Sequence, residues 1–444
     1  MTLRPRPTVP PASLWAFPEP LISTLDGLTV YFYPLLGQHV INATLVMDLP
    51  LEAEEGFIEG IADLTARCAI EATGSSDALS FARRMDAQGA VIDAHATRTS
   101  TMIDLTAPSS RIGQAAHLIA EAIANPRFDQ RDICRQRDLR LAEFEADQIH
   151  PSAIADLAFH QALFSSDSRY GRPLRGSSDT VATIDKQMIE SFYRTRWHLR
   201  NASLIIAGDL DLNIDELSRI IPTSLSAEPV HIDPVPIPRE PVIWLIDRPD
   251  AVQAEIRIGC ITPTRHDTRW AALNVAAWAV GGSFASRLNT LLREEKGYTY
   301  GAHARFQSRK HSATFSAQTS CRTEVTGEVI AHMLNILDIG DCPLSHEEVA
   351  NARSYLVGIA PLVFQTSERI CDQAAIFAAN GIDSRWFNDH NRRLSAVSCD
   401  EATEAFRHIV IPDQQTIVIC GDAHSILPQL DRCGYHPQII DFDL

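Results

Sequence analysis

Within the stretch Gly281 to Phe306, two side chains have the types and spacing to act on a carbonyl oxygen: Arg293 and Tyr300. A guanidinium and a phenolic hydroxyl are both hydrogen-bond donors, suited to an oxygen that gathers negative charge in a transition state. The elements that must position them surround them in the sequence. Phe284, Leu288, Leu291 and Leu292 fall on one face of a helix. Ser283 is placed as its N-cap and Gly297 as the left-handed residue that ends it. Tyr298, Tyr300, Ala302, Ala304 and Phe306 then alternate with Thr299, Gly301, His303 and Arg305, the period of a strand. The spacing predicts Arg293 in the last helical turn and Tyr300 early in the strand, so that the two meet near one edge of a sheet. The same residues also suit a plain amphipathic helix docked on a strand, with Arg293 a solvated cation favoured by the helix dipole.

Other chemistry is thin. The chain has no G-x-G-x-x-G, P-loop or G-x-S-x-G motif. None of its 16 histidines lies at the helical or strand spacing of a metal-binding pair; the nearest two, His303 and His311, are eight residues apart. His95 and His303 occupy matching places in the two halves of the chain, read here as equivalent strand positions. Basic residues number 39 and acidic ones 56, a net charge of −17. That balance argues against a nucleic-acid partner, since phosphate affinity needs a basic surface. No apolar run approaches the roughly 18 residues of a membrane span. The nine cysteines are scattered and include no C-x-x-C pair; Cys68, Cys260 and Cys420 sit among apolar neighbours. This fits small hydrophobes in a reducing, cytoplasmic setting. Residues 1–20 hold six prolines and no apolar segment, an expected extended arm without a signal peptide.

With 444 residues, the chain is expected to form two domains. Strands are predicted at Leu28–Leu36, Val40–Leu49, Val91–Thr106 and Ala202–Gly208. Helices are predicted near Gly56–Ala72, Asp77–Ala87, Ser110–Ala124, Gln130–Ile149 and around Ile184–Phe192. Pro222, Pro229, Pro234, Pro236, Pro238 and Pro241 mark a stiff linker. The expected organisation is an arm at 1–20, a domain at 21–225, a linker at 226–241 and a second domain at 242–444. The halves repeat. Ala202–Asp209 is echoed by Gln415–Asp422 at an offset of 213 residues, Phe192 by Phe406 at 214, and Ala94-His95-Ala96 by Ala302-His303-Ala304 at 208. A tandem duplication of an α+β unit follows.

The run Gly281, Gly282, Ser283, Ser286, Arg287, Leu288, Leu292, Arg293, Glu294, Gly297 and Tyr300 resembles the second-domain motif of the pitrilysin/insulinase (inverzincin) peptidases, especially their processing-peptidase branch. The resemblance covers nearly the whole chain beyond the arm. It implies two homologous domains, each a mostly antiparallel sheet flanked by helices, and carries the family's arginine/tyrosine pair onto Arg293 and Tyr300. Active members hold zinc with H-x-x-E-H and a more distant glutamate. Here Asp63 and Arg67 stand at the two histidine positions and Ala66 at the catalytic glutamate position. The third-ligand position falls on Glu143, 76 residues past Arg67. Guanidinium has no lone pair for a metal, and alanine cannot move a proton. Glu143 is left either as a partner for Arg67 or as a surface glutamate.

The resemblance therefore implies a non-catalytic subunit of a heterodimeric zinc metallopeptidase. It binds no cofactor itself, pairs with a homologous chain that carries zinc, and offers Arg293 and Tyr300 to a peptide in the partner's active site. The alternative is a pseudo-peptidase scaffold with no proteolytic role.

Overall fold

The computed structural model describes residues 13–25, 27–211, 225 and 236–442. Most of the proline-rich linker and the first part of the N-terminal arm therefore lie outside the described residues.

Two six-stranded sheets form the frame. The first is built from β1 (Leu21–Leu25), β2 (Leu28–Pro34), β3 (Val40–Met47), β4 (Val91–Ala96), β5 (Thr101–Pro108) and β6 (Ser203–Gly208), in the order β1-β2-β6-β3-β5-β4. The second is built from β7 (Ile243–Asp247), β8 (Gln253–Thr262), β9 (Ala302–Ser308), β10 (Ala313–Arg322), β11 (Thr416–Gly421) and β12 (Gln438–Ile440), in the order β12-β7-β11-β8-β10-β9. β2 runs parallel to β6, as β7 does to β11, and both β3–β5 and β8–β10 are antiparallel. The duplication read from the offsets is thus a duplication of topology. The outermost positions differ: the first sheet is closed by the hairpin partner β1, whereas the last strand, β12, lies parallel to β7.

The predicted helices are present with shifted ends. The Gly56–Ala72 segment forms a helix only over Ile61–Ala69, after a short 3-10 turn at Gly56–Ile58. Gln130–Ile149 is helical over the whole predicted span. Pro151 does more than stop that helix. It starts another, Pro151–Leu163, for which its fixed φ and missing N–H suit the first turn.

This added helix carries the main departure from two self-contained halves. Ile154, Ala158, Ala162 and Phe164 pack with Trp244, Ile246, Val418 and Cys420 of the second sheet. In return the helix Ser367–Asn380, 216 residues later, lays Ile370, Cys371, Ala374 and Phe377 on Tyr33, Val46, Met102 and Ile205 of the first sheet. Polar bonds fix both placements. Arg257 of β8 bonds Asp156 at 2.6 Å and Ser152 at 2.8 Å; Ser367 accepts from Asn42 at 2.8 Å and donates to the Val40 carbonyl at 2.7 Å. The arm joins the exchange: Phe17 is buried among Tyr33, Phe364, Phe377 and Phe387, and its backbone pairs with the Asn388 side chain.

Candidate functional site

Two regions gather the residues singled out by sequence. The first is a corner of the first half. Glu54 accepts from the N–H groups of Gly60 and Ala62 and pairs with Arg169 at 2.8 Å, fixing the start of the Ile61–Ala69 helix. Asp63 and Ala66 on that helix are buried, and Arg67 is half-buried. The Gln130–Ile149 helix packs against it and brings Arg140 and Glu143.

Arg67 Nε lies 3.2 Å from Asp63 Oδ2, and its Nη1 bonds Glu143 Oε1 at 3.0 Å. Arg140, 1 % exposed, bonds both Asp63 and Glu143, and Arg175 approaches Glu143 at 3.7 Å. Asp63 Oδ1 also accepts from the Ala96 N–H of β4 at 3.1 Å. Of the two accounts left open for Glu143, the structure supports partnership with Arg67. Burial pulls the Arg140 guanidinium below its ordinary pKa, and the Asp63 carboxylate opposes that shift.

Zinc does not fit this corner. Of the positions expected to ligate it, one is a guanidinium and the other two are carboxylates already bound to guanidiniums. Three arginines face two carboxylates, so the local charge disfavours a further cation. Arg140 was not singled out from sequence. Its signal was its place three residues before Glu143 on one helix, which puts both on one face.

The second region is the Gly281–Phe306 stretch, where several expectations need correction. Ser283 does not cap the helix; Ser286 holds the N-cap position, and Ser283 follows a π-helical turn at Trp278–Gly282. Phe284 therefore lies outside the helix and is 77 % exposed, whereas Leu288 and Leu292 are fully buried. The helix opens into a second π-helical turn, Thr290–Glu295, which carries Arg293. Gly297 ends it with φ +63°, as expected. Tyr300 precedes rather than enters β9, whose regular alternation starts at Ala302.

No hydrogen bond or cation–π contact joins Arg293 to Tyr300. The Arg293 guanidinium sits over the Phe284 ring, 4.8 Å from its centroid, and 3.5 Å from Glu294. Tyr300 is 93 % exposed. Tyr300 stands two residues ahead of β9, the edge strand of the second sheet.

Asn289, not singled out from sequence, anchors this turn. Its amide donates to the carbonyls of Ser283 and Ala302, both at 2.8 Å, and its oxygen accepts from the Ala302 N–H at 2.9 Å. A polar residue between the buried Leu288 and Leu292 was the available signal. Gly281 lets the preceding turn approach β9, since a Cβ there would lie 2.6 Å from the Ala304 backbone nitrogen. Arg287 of the motif is structural, with a two-pronged pair to Glu348 at 2.6 and 2.9 Å.

His95 and His303 lie on the edge strands β4 and β9, as equivalent positions should. The ligand atoms of Asp93, His95 and Asp104 lie within 4.8 Å of one another, a grouping across two strands that a search for histidine pairs misses. The group is shallow, Asp93 is exposed, and Asp104 accepts from Thr44 at 2.6 Å. Among the described residues no helix is long and apolar enough to cross a membrane.

Comparisons with known proteins agree with this geometry. The family model "Insulinase (Peptidase family M16)" matches residues 42–178, and "Peptidase M16 inactive domain" matches residues 183–356. An uncharacterized zinc protease of Mycobacterium tuberculosis is 25% identical over 419 residues, 92% of this chain and 93% of the relative. The non-peptidase homolog YmxG of Helicobacter pylori is 20% identical over 317 residues, 69% and 72% of the two chains. A solved peptidase M16 inactive domain from Pseudomonas fluorescens superposes with a TM-score of 0.80 at 20% identity, covering 93% of this chain and 98% of that one. A protease from Helicobacter pylori does so with a TM-score of 0.80 at 15% identity, covering 91% and 100%.

Proposed function

The chain belongs to the insulinase (M16) peptidase family as a non-catalytic member, and on that premise we propose that it is the substrate-holding subunit of a two-chain zinc peptidase. Its partner is a homologous chain with an intact zinc motif, and the pair works in the cytoplasm on peptides. The observation that carries the reading is a contrast within one molecule. The corner matching the zinc motif is filled by an arginine–carboxylate network, while Tyr300 stands open just ahead of an edge strand, seven residues after Arg293 in the chain.

In this reading the two side chains are not bonded to each other because each waits for substrate. Tyr300 Oη donates to a peptide carbonyl or to the oxyanion formed on it. Arg293 leaves the Phe284 ring, a contact worth about 0.5–1 kcal/mol at an exposed site, and adds a charged donor. Zinc in the partner would supply the activated water; this chain's residues hold and polarise the substrate.

The test is to purify the chain alone and with a zinc-motif partner, and to measure zinc content and peptide cleavage for both. The expected outcome is cleavage only by the pair. Arg293→Ala in the pair should lower kcat by about 10²–10³-fold, the usual cost of losing one oxyanion donor, with assembly intact. Full activity of that variant would remove the pair from the mechanism. A stable complex with bound zinc but no cleavage of any peptide would favour the scaffold reading.

A further inference from the structure

Between the two halves lies a cleft of about 560 Å³, distinct from the exposed Arg293–Tyr300 turn. One wall is the β9–β10 face, with Arg305, Gln307, Ser316 and Gln318; the other comes from the Gln130–Ile149 and Pro151–Leu163 helices. Five arginines line it, Arg98, Arg175, Arg257, Arg305 and Arg309, against the carboxylates of Asp147 and Asp156. Arg257 is matched by Asp156 at 2.6 Å, and Arg175 leans on Glu143 at 3.7 Å. Arg98, Arg305 and Arg309 have no carboxylate within ion-pair distance among the described residues. In a chain of net charge −17, this is a local inversion of sign.

The charges are held in place. Arg98 is 7 % exposed, donates to the carbonyls of Arg169 and Arg172, and lies over the Tyr170 ring at 5.5 Å. Burial, then Arg309 and Arg169, bring its pKa down to about 9, against the opposing effect of Tyr170 and the Glu52 carboxylate. Arg309 donates to Nε2 of His160 at 3.0 Å, so that imidazole is neutral and offsets no charge. Burial, Arg98 and Arg309 keep the His160 pKa well below its ordinary value. Glu52 acts on Arg98 from a distance, whereas Arg305 and Arg309 have no carboxylate in an ion pair among the described residues; guanidiniums so gathered repel one another, and an anion between them relieves that cost. The remaining lining suits peptide: Gln307, Ser316 and Gln318 are amide and hydroxyl groups, and Phe159 and Leu163 are apolar. The volume falls in the roughly 300–1,000 Å³ of small-ligand sites, room for a few residues and not for a domain.

We propose that this cleft binds an acidic peptide segment, with carboxylates on Arg305 and Arg309 and its backbone along β9–β10. The peptide part of the assignment rests on the function proposed above. The anion part rests on the cleft alone.

The test titrates the full chain, without a partner, with fluorescently labelled tri-glutamate, labelled tri-glutamine and inorganic phosphate. Tri-glutamate should bind saturably and more weakly as salt is raised, and tri-glutamine should not bind. Arg305→Gln, at an exposed edge-strand position, should weaken tri-glutamate about tenfold, a typical loss for one charge-assisted contact. Arg309→Gln should do the same, with its melting curve checked because it also loses the His160 contact. Equal binding of tri-glutamine, or tri-glutamate binding unchanged in both variants, overturns the proposal. Binding of phosphate but not of tri-glutamate overturns the peptide assignment. Because no partner enters this assay, its failure is separable from failure of the Arg293 experiment.

Discussion

At the scale of single residues, the candidate substrate-binding turn depends on side chains that would never touch substrate. Asn289 satisfies both backbone groups of Ala302 and ties the helix to the edge strand. Asn289→Ala leaves these buried groups unpaired and should cost about 1–3 kcal/mol, measured by chemical unfolding. Asn289→Asp should do no better, because a carboxylate cannot donate to the Ala302 carbonyl. Glu348 anchors the other end through Arg287 and caps its own helix at Ser345. Partial burial would raise its pKa, but the Arg287 guanidinium and the Ser345 donors outweigh it and hold the carboxyl at about 2. Its folded pKa is thus depressed. The stability it contributes is fully present above its unfolded value near 4.5 and is lost as pH falls toward 2. Melting temperatures of wild type and Glu348→Gln should differ at pH 7 and converge as pH falls through that window. A difference independent of pH would show that the pair contributes nothing through charge. The three cysteines pack as apolar side chains: Cys68 and Cys420 are buried, Cys260 is half-buried, and burial raises all three thiols, Cys260 and Cys420 to about 11.

At the scale of elements, two packed helices decide what the Asp63–Arg67 corner can do. Asp63 and Arg140 are both nearly excluded from water; Arg140→Ala leaves Asp63 with Arg67 and the Ala96 N–H but removes its buried charge-assisted bond, and should cost about 1.5–3 kcal/mol. The same pair bears on metal affinity. The triple change Asp63→His, Ala66→Glu and Arg67→His writes the H-x-x-E-H motif back into the helix. We expect it to bind no zinc, because the Arg140 guanidinium still points at the ligand set and at Glu143. Adding Arg140→Leu should allow about one zinc per chain, read by metal analysis. Stoichiometric zinc in the triple variant with Arg140 intact would refute this account of the corner. The edge strands were legible as elements, since β4 and β9 carry the repeated Ala-His-Ala triplet. The end of the Arg293 helix was not. Its two π-helical turns shift the register, which is why Phe284 falls outside the buried face and Tyr300 ahead of the strand.

At the scale of the molecule, the halves are bound by exchange. Each sheet has one face covered by a helix from the other half, and Phe17 of the arm is sealed under helices from residues 360–390. Separately expressed halves should therefore expose the apolar face of a sheet and aggregate, whereas the whole chain should unfold in one transition followed by both fluorescence and circular dichroism. Two well-separated transitions would mean that the exchanged helices contribute little. The exchange also makes the arginine-lined cleft, because the Pro151–Leu163 helix is the element that closes it against β9 and β10.

The sequence by itself determined the α+β repeat, since alternation and helical periodicity are local and recur at a nearly constant offset. It also determined the loss of zinc chemistry at the motif, because Ala66 and Arg67 cannot do what glutamate and histidine do, whatever surrounds them. Only the tertiary structure decided the partners. Arg140 joins Asp63 across 77 residues, Asn289 reaches the Ala302 backbone around a turn, and the Pro151–Leu163 and Ser367–Asn380 helices leave their own halves. Such contacts arise from packing between segments far apart in the chain, and a periodic pattern records which face is buried but not what buries it.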